Sequence, residues 1–292
     1  MRSPVVAAVC FLAVLVVGEA SAAPVHCDGI AVTMLGTPGA DRIVGTSGPD
    51  VIATAGGNDV VLGLGGNDVI CAGGGHDQVS GGGGVDQITT GLGNDVAYGG
   101  PHVDLIRTGE GSNRIYGGPG RDEIDAWGAG RDAIYAGRGH DNIFLVAGPD
   151  VVFMGPGNDF VDEGSGDSVL HGESGWDWAL LGRGTDAFYG GTGRDRVDAR
   201  ARATVDLGAG TLVIGAEVDL VRSVEEVAGS IGADTLIGSS APERLYGFSG
   251  DDSIQGLGGN DLLDGGDGTD ILDGGDGIDR CERGETVSNC EP

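Results

Sequence analysis

The chain has 292 residues, 61 of them glycine, and its 45 acidic side chains against 16 basic ones leave a net charge of −29. Glycine at this level suggests collagen or disorder, but there is no Gly-X-Y period, prolines number only 10 and 39% of the residues are hydrophobic. Glycine is therefore placed at fixed positions in a fold. Every basic residue is arginine, which removes P-loop phosphate binding and Schiff-base chemistry, and the net charge excludes nucleic acid and anionic membrane surfaces as partners. The acids are 33 Asp and 12 Glu, a balance that favours short carboxylates in turns over long ones on helices.

At the start, Arg2 precedes an apolar run over residues 5–17 and then Ala20, Ser21, Ala22 and Ala23, the layout of a secretory signal peptide. The run is too short to span a bilayer, so no membrane insertion is expected. The predicted leader covers 1–22, with cleavage after Ala22, and predicts an extracellular protein. Cleavage removes Cys10 and leaves Cys27, Cys71, Cys281 and Cys290, an even count suited to two disulfides in an oxidising compartment. Three pairings are possible, and proximity along the chain favours Cys27 with Cys71 and Cys281 with Cys290. A zinc site from all four thiolates is disfavoured, because no pair has the short spacing of a zinc knuckle.

From Asp41 onward an aspartate recurs every nine residues: Asp50, Asp59, Asp68, Asp77, Asp86, Asp95 and Asp104, then Asn113, Asp122, Asp132, Asp141, Asp150, Asp159, Ser168, Asp177, Asp186 and Asp195. One extra residue near Ala126 is the only slip. A second block runs Asp234, Glu243, Asp252, Asp261, Asp270 and Asp279, which makes 24 units, 21 of them with Asp. Two residues before this position stands Gly in 22 of the 24 units, and two residues after it the residue is always apolar, from Ile43 and Ile52 to Leu272 and Cys281. One buried residue flanked by two outward ones is a three-residue strand, and the Gly and Asp between strands form the turn. Five residues before Asp, Gly45, Gly63, Gly81, Gly99 and Gly117 alternate with Thr54, Ala72, Thr90 and Thr108, so the full period is eighteen and alternate turns lie on opposite edges of a flattened coil. The edge carrying Asp50 through Asp195 is complete; Asn113 and Ser168 both break the other.

The segments Gly81-Gly82-Gly83-Gly84-Val85-Asp86-Gln87-Ile88-Thr89 and Gly265-Gly266-Asp267-Gly268-Thr269-Asp270-Ile271-Leu272-Asp273 resemble the G-G-x-G-x-D-x-U-x nonapeptide of haemolysin-type, repeats-in-toxin calcium-binding proteins. The resemblance covers roughly 36–198 and 229–282. It implies an all-β fold, a right-handed parallel β-roll solenoid with two nonapeptides per coil, and calcium ions held between successive turns by glycine carbonyls and aspartates. The 21 register aspartates are the implied metal ligands, with Asp68, Asp86, Asp104 and Asp122, then Asp252, Asp261, Asp270 and Asp279, the strongest candidates. A hard divalent cation takes six to eight oxygens, and carboxylates stacked about 4.8 Å apart repel one another without one. Folding is therefore expected to couple to calcium. Requiring Asp in two successive same-edge units bounds the ions at about fifteen.

The remaining segments read as an N-terminal cap at 23–35, irregular linking coils at 199–228 with longer strands around Val205 and Val218, and a C-terminal cap at 283–292. The caps cover coil ends that would otherwise pair with other chains. The sequence holds neither H-E-x-x-H nor G-x-S-x-G. His26, His76, His102, His140 and His171 are scattered, three of them at turn positions, and read as solvated side chains. Trp127, Trp176 and Trp178 are the one hint of a glycan-stacking surface, although local packing accounts for them more simply. The leading reading is a secreted, non-enzymatic calcium-binding module with structural or interaction roles, its macromolecular partners an extracellular glycan or cell-surface component. The alternative is a calcium-dependent polysaccharide-active or proteolytic exoprotein. The repeats begin close to the leader and run almost to the last residue, which leaves little room for a catalytic domain.

Overall fold

A three-residue strand buries one side chain, too little to hold alone, so each must stack on its neighbours in the adjoining coils. The computed structural model describes residues 26–291, and the predicted leader at 1–22 lies outside the described residues. Among these residues the chain forms 34 short strands and no helix. They assemble into two large sheets, of 16 and 14 strands, in which neighbours are almost all parallel. The fold is the parallel β-roll that the eighteen-residue period implies. Successive coils pair in register: Val61 with Val79, Ile88 with Ile106 and Ile106 with Ile124.

The apolar column two residues after each Asp is the core. Ile52, Ile70, Ile88, Ile106, Ile124 and Ile143 project from one sheet, and Val61, Val79, Ala97, Ile115 and Ile134 meet them from the other, all fully buried. The interior is thus a single bilayer of branched side chains between two flat sheets. The extra residue near Ala126 is Trp127: Thr108 still pairs with Ala126 eighteen residues on, whereas Ile115 pairs with Ile134 at nineteen. Trp127 bulges outward, and the register of the core resumes beyond it.

Turns change direction within a few residues, and in many of them the residues four and two before the aspartate adopt the left-handed backbone. Gly75, at φ 141°, shows why glycine is needed: a Cβ there would collide with the carbonyl of Gly57 in the preceding coil. Leu64 and Glu173, which replace a glycine in the repeat, hold the same conformation at φ 78° and 72°. At these two positions the turn backbone is preserved without the glycine, whereas Val146 at the corresponding position does not adopt it.

Residues 199–228 were expected to supply longer linking strands; they form an antiparallel meander. Ala203–Asp206 and Thr211–Ile214 are antiparallel, as are Thr211–Ile214 and Glu217–Arg222. The last pairs parallel with Ala187–Gly193, and the first with Thr235–Ile237, so the meander bridges the two repeat blocks within the larger sheet. On the opposite face Arg196–Ala199 pairs directly with Glu226–Ala228. The nonapeptide pattern has no means of indicating this reversal, because Val205, Leu212 and Val221 alternate inward like any strand residues.

Along the outer face of the larger sheet the identical register stacks Tyr98, Tyr116, Tyr135, Phe153, His171 and Tyr189, with neighbouring ring centroids 4.8 to 5.2 Å apart and planes within 10° of parallel. Trp178 lies against Phe160 on the other sheet, with the Arg196 guanidinium over its ring. The two disulfides join Cys27 to Cys71 and Cys281 to Cys290, with Cα atoms 5.8 and 5.9 Å apart. The first ties the two-stranded N-terminal hairpin, His26–Cys27 with Ile30–Ala31, to the third coil. Because this bridge closes a loop of 44 residues, replacing Cys27 and Cys71 together by alanine is expected to cost about 4 kcal/mol. Denaturant unfolding of the oxidised protein against the double variant measures it.

Candidate metal centre

Period two puts each register aspartate on the same side of its strand as the core residue two positions later, so the carboxylate points inward at the end of the strand. All the register aspartates except Asp41 are buried. Their carboxylates do two separate things. One oxygen accepts the backbone N–H of the aspartate one coil earlier: Asp68 donates to Asp86 Oδ1 at 2.9 Å, Asp86 to Asp104 at 2.8 Å, Asp104 to Asp122 at 2.9 Å and Asp122 to Asp141 at 2.8 Å. The other oxygen, Oδ2, is buried without any partner in seventeen of them, including Asp59, Asp77, Asp95, Asp132, Asp186 and the eight strongest sequence candidates.

The edge that opens on the 14-stranded sheet carries Asp50 through Asp195 as an unbroken ladder, and Asp195 passes the bond on to Glu225. The opposite edge runs from Asp41 to Asp186 and on to Asp219. In the second block Asp234, Asp252 and Asp270 end on Glu285, and Glu243, Asp261 and Asp279 end on Glu291. Nonapeptide counting misses Asp219, Glu285 and Glu291, since none stands at a nine-residue step, whereas Glu225 lies nine residues before Asp234 but has Glu in place of Asp and Ser223 in place of the preceding glycine. Asn113 and Ser168 lack a carboxylate yet keep the ladder, accepting the N–H of Asp95 at 3.0 Å and of Asp150 at 3.3 Å.

Asp41, Asp50 and Asp234 differ from the rest. Their second oxygens accept the backbone N–H of Thr37, Thr46 and Ser230, each at 2.6 Å, and hydroxyl bonds from the same residues. These aspartates open a block, and a hydroxyl residue replaces glycine four positions before each. The first coils thus satisfy their own carboxylates, whereas later coils do not.

The unpartnered oxygens face space that could hold a cation. At Gly63 an added Cβ would run into Asp68 Oδ2 and the carbonyl of Gly81 from the next coil; the same pairing recurs at Gly99 with Asp104 and Gly117, and at Gly247 with Asp252 and Gly265. Carboxylate and carbonyl oxygens from adjacent coils therefore converge where side chains are missing, and hard oxygen donors of this kind suit calcium. Among the described residues no three acidic, His or Cys side chains gather closely enough to hold an ion by themselves, so a bound ion draws on the carbonyls as well. When bound, the ion supplies the positive charge that the ladder lacks.

Burial, opposed by the N–H bond from Asp86 and reinforced by the neighbouring carboxylates of Asp122 and Asp86, pushes Asp104 up to about 7. Asp122 and Asp159 rise to about 7 for the same leading reason, and Asp177 to about 8. No protein cation offsets this, since none of the ion pairs among the described residues includes a ladder aspartate.

A second, outer ladder stands one residue before the first. Asn58 Oδ1 accepts the N–H of His76 at 2.8 Å, His76 Nδ1 accepts that of Asn94 at 2.9 Å, and Asn94 Oδ1 that of Ser112 at 2.7 Å. His140 Nδ1 likewise accepts the N–H of Asn158 at 2.8 Å. These histidines are exposed, as expected for turn residues, but they also cap the next coil and must carry their proton on Nε2 to do so.

A parallel β-roll whose turns present paired carboxylates and carbonyls to a cation defines the class of protein. Within it, the family model described as the RTX calcium-binding nonapeptide repeat (4 copies) matches residues 35–70, 63–97, 98–127, 128–152, 155–187, 180–201 and 246–281. The chain belongs to the RTX calcium-binding nonapeptide repeat family and is a calcium-binding β-roll. The unmatched stretch between 201 and 246 contains the antiparallel meander. No curated protein matches the chain.

Two outcomes follow from this geometry. Gly81→Ala places a methyl against the Asp86 carboxylate, whereas Gly74→Ala meets nothing within 4 Å. Calcium titration is expected to show at least a several-fold weaker midpoint for Gly81→Ala and little change for Gly74→Ala. The raised carboxylates also set a pH dependence in the absence of divalent cations. Below about pH 4 folded and unfolded chains are both protonated; between there and about 7 to 8 the folded form alone holds these protons. The metal-free roll should therefore lose stability as pH rises through that window, which thermal melts in chelator across pH 4 to 8 will measure.

Proposed function

We propose that this protein is a secreted module that folds when it meets extracellular calcium and then acts as a structural or interaction element, not as an enzyme. The observation that carries the reading is the run of buried carboxylate oxygens without a partner. Without a counter-ion this ladder opposes its own folding; with calcium it becomes the contact between coils. Extracellular calcium saturates sites too weak to fill inside a cell, so a predicted secretory leader and a calcium-dependent fold support one another. The two disulfides fit the same oxidising compartment.

A non-enzymatic role is supported by where the acids are spent. The ladder carboxylates bind the backbone of the preceding coil and face a shared cation space, so they are poorly placed to carry protons to a substrate. The interaction reading rests on the stripe from Tyr98 to Tyr189, where half-exposed rings run straight along the solenoid. An extracellular glycan or cell-surface component is the class of partner proposed for it.

Far-UV circular dichroism of the leader-less protein during a calcium titration tests the central claim. A transition from disordered chain to β-structure is expected between chelator and millimolar calcium, reversed by EDTA, with magnesium a poor substitute. An identical spectrum in excess EDTA and in calcium would overturn it. Glycan-array binding by the calcium-loaded protein tests the partner.

A further inference from the structure

Glu163 is the one fully buried glutamate among the described residues. It stands five residues before Ser168, in a column whose neighbours one coil away on either side are Leu145 and Leu181, both buried. A carboxylate among leucines needs a reason. No ion pair among the described residues involves it. Its side chain turns toward the ladder: Oε2 accepts the N–H of Gly182 at 3.0 Å, and Oε1 accepts the hydroxyl of Ser168 at 3.3 Å. Ser168 is the position where the register has lost its aspartate.

Oxygen atoms also gather beside that gap, though with a carbonyl from the preceding coil instead of the next one. Asp186, one coil on, has its Oδ2 buried and unpartnered. A Cβ on Gly182 would run into Glu163 Oε2 and the carbonyl of Gly164, so oxygen donors again converge where a side chain is missing. Arg200 bonds the backbone carbonyls of Glu163 and Leu181 at 2.7 and 3.1 Å and leaves the carboxylate itself unpaired. The other broken position shows what a gap without replacement looks like. Asn113 turns its own Nδ2 to the Gly109 carbonyl at 3.2 Å, so a donor fills the space, and the residue five before it is Thr108 rather than an acid.

We propose that Glu163 replaces the missing aspartate at 168 and, with Asp186 and the Gly164 carbonyl, forms a calcium site that the nonapeptide pattern does not contain. The idea rests on the calcium reading of the ladder but assigns a new ligand at a position where the other repeat units carry no acid. It also makes the two breaks unequal: the gap at 168 holds an ion and the gap at 113 does not.

Native mass spectrometry counts ions on the full leader-less chain at saturating calcium. Glu163→Gln is expected to carry one ion fewer than the wild type, because the amide keeps the shape and loses the charge. The double variant Glu163→Thr with Ser168→Asp, which returns the carboxylate to its register position, is expected to regain that ion, and it also tests the proposal should Glu163→Gln fail to fold. Equal ion counts in wild type and Glu163→Gln would overturn the proposal, with Glu163 then a protonated core residue. A double variant one ion short of wild type would overturn it equally. A wild type that binds no calcium would instead remove the reading of the whole ladder.

Discussion

Everything in this molecule depends on a row of carboxylates stacked at the spacing of β-strands. Neighbours about 4.8 Å apart, at an effective dielectric of about 20, repel by about 3 kcal/mol per pair. A few such pairs match the whole stability of an ordinary domain, about 5 to 15 kcal/mol. The backbone bond that each Oδ1 accepts recovers part of this, but it leaves Oδ2 exposed to its neighbours' charge and to nothing else. The fold is thus consistent in its apolar column, its turns and its register, and inconsistent in one term only. That term is the one a divalent cation reverses in sign.

The chain treats the ends of the ladder differently from its middle. Where a block opens, Thr37, Thr46 and Ser230 donate to a carboxylate that has no register aspartate one coil before it. Where a block closes, Asp219, Glu225, Glu285 and Glu291 supply an acceptor to a backbone N–H that has no register aspartate after it. Each device answers a polar group left over by the repeat, donor or acceptor as required. Glu163 belongs with these repairs but sits in the middle of a block, where an interior position must be given up to it.

Much of the architecture could be read from spacing alone, because a nine-residue register over 24 units leaves few ways to place the apolar column. The two edges and the buried aspartates follow from period two within a unit and period eighteen between units, whereas strands such as Val151–Gly157 run past the expected three residues into the turn. Three features escaped for physical reasons. The antiparallel meander at 203–222 presents the same inward alternation as a parallel strand, and chain direction leaves no mark on that pattern. The outer ladder through His76 and His140 mixes Asn, His and Ser, which share an acceptor atom at similar reach but no residue identity. Glu163 acts through Ser168 from five residues away, so a count made at one column records the loss there and not its replacement.

The same spatial view divides the acidity of the chain. With the 21 register aspartates set apart, 24 acids remain against 16 arginines. Five of those arginines pair with remaining acids: Arg107 with Asp125, Arg196 with Asp198 and Glu226, Arg200 with Asp162, Arg280 with Glu282 and Arg283 with Asp264. None of these pairs includes a register aspartate. Guanidinium groups could have neutralised the ladder from within, but each would need room that the glycine turns do not have, and a fixed positive charge would hold the coils together in any compartment. Leaving the carboxylates unpaired keeps the turns narrow and makes the contact between coils conditional on an ion from outside.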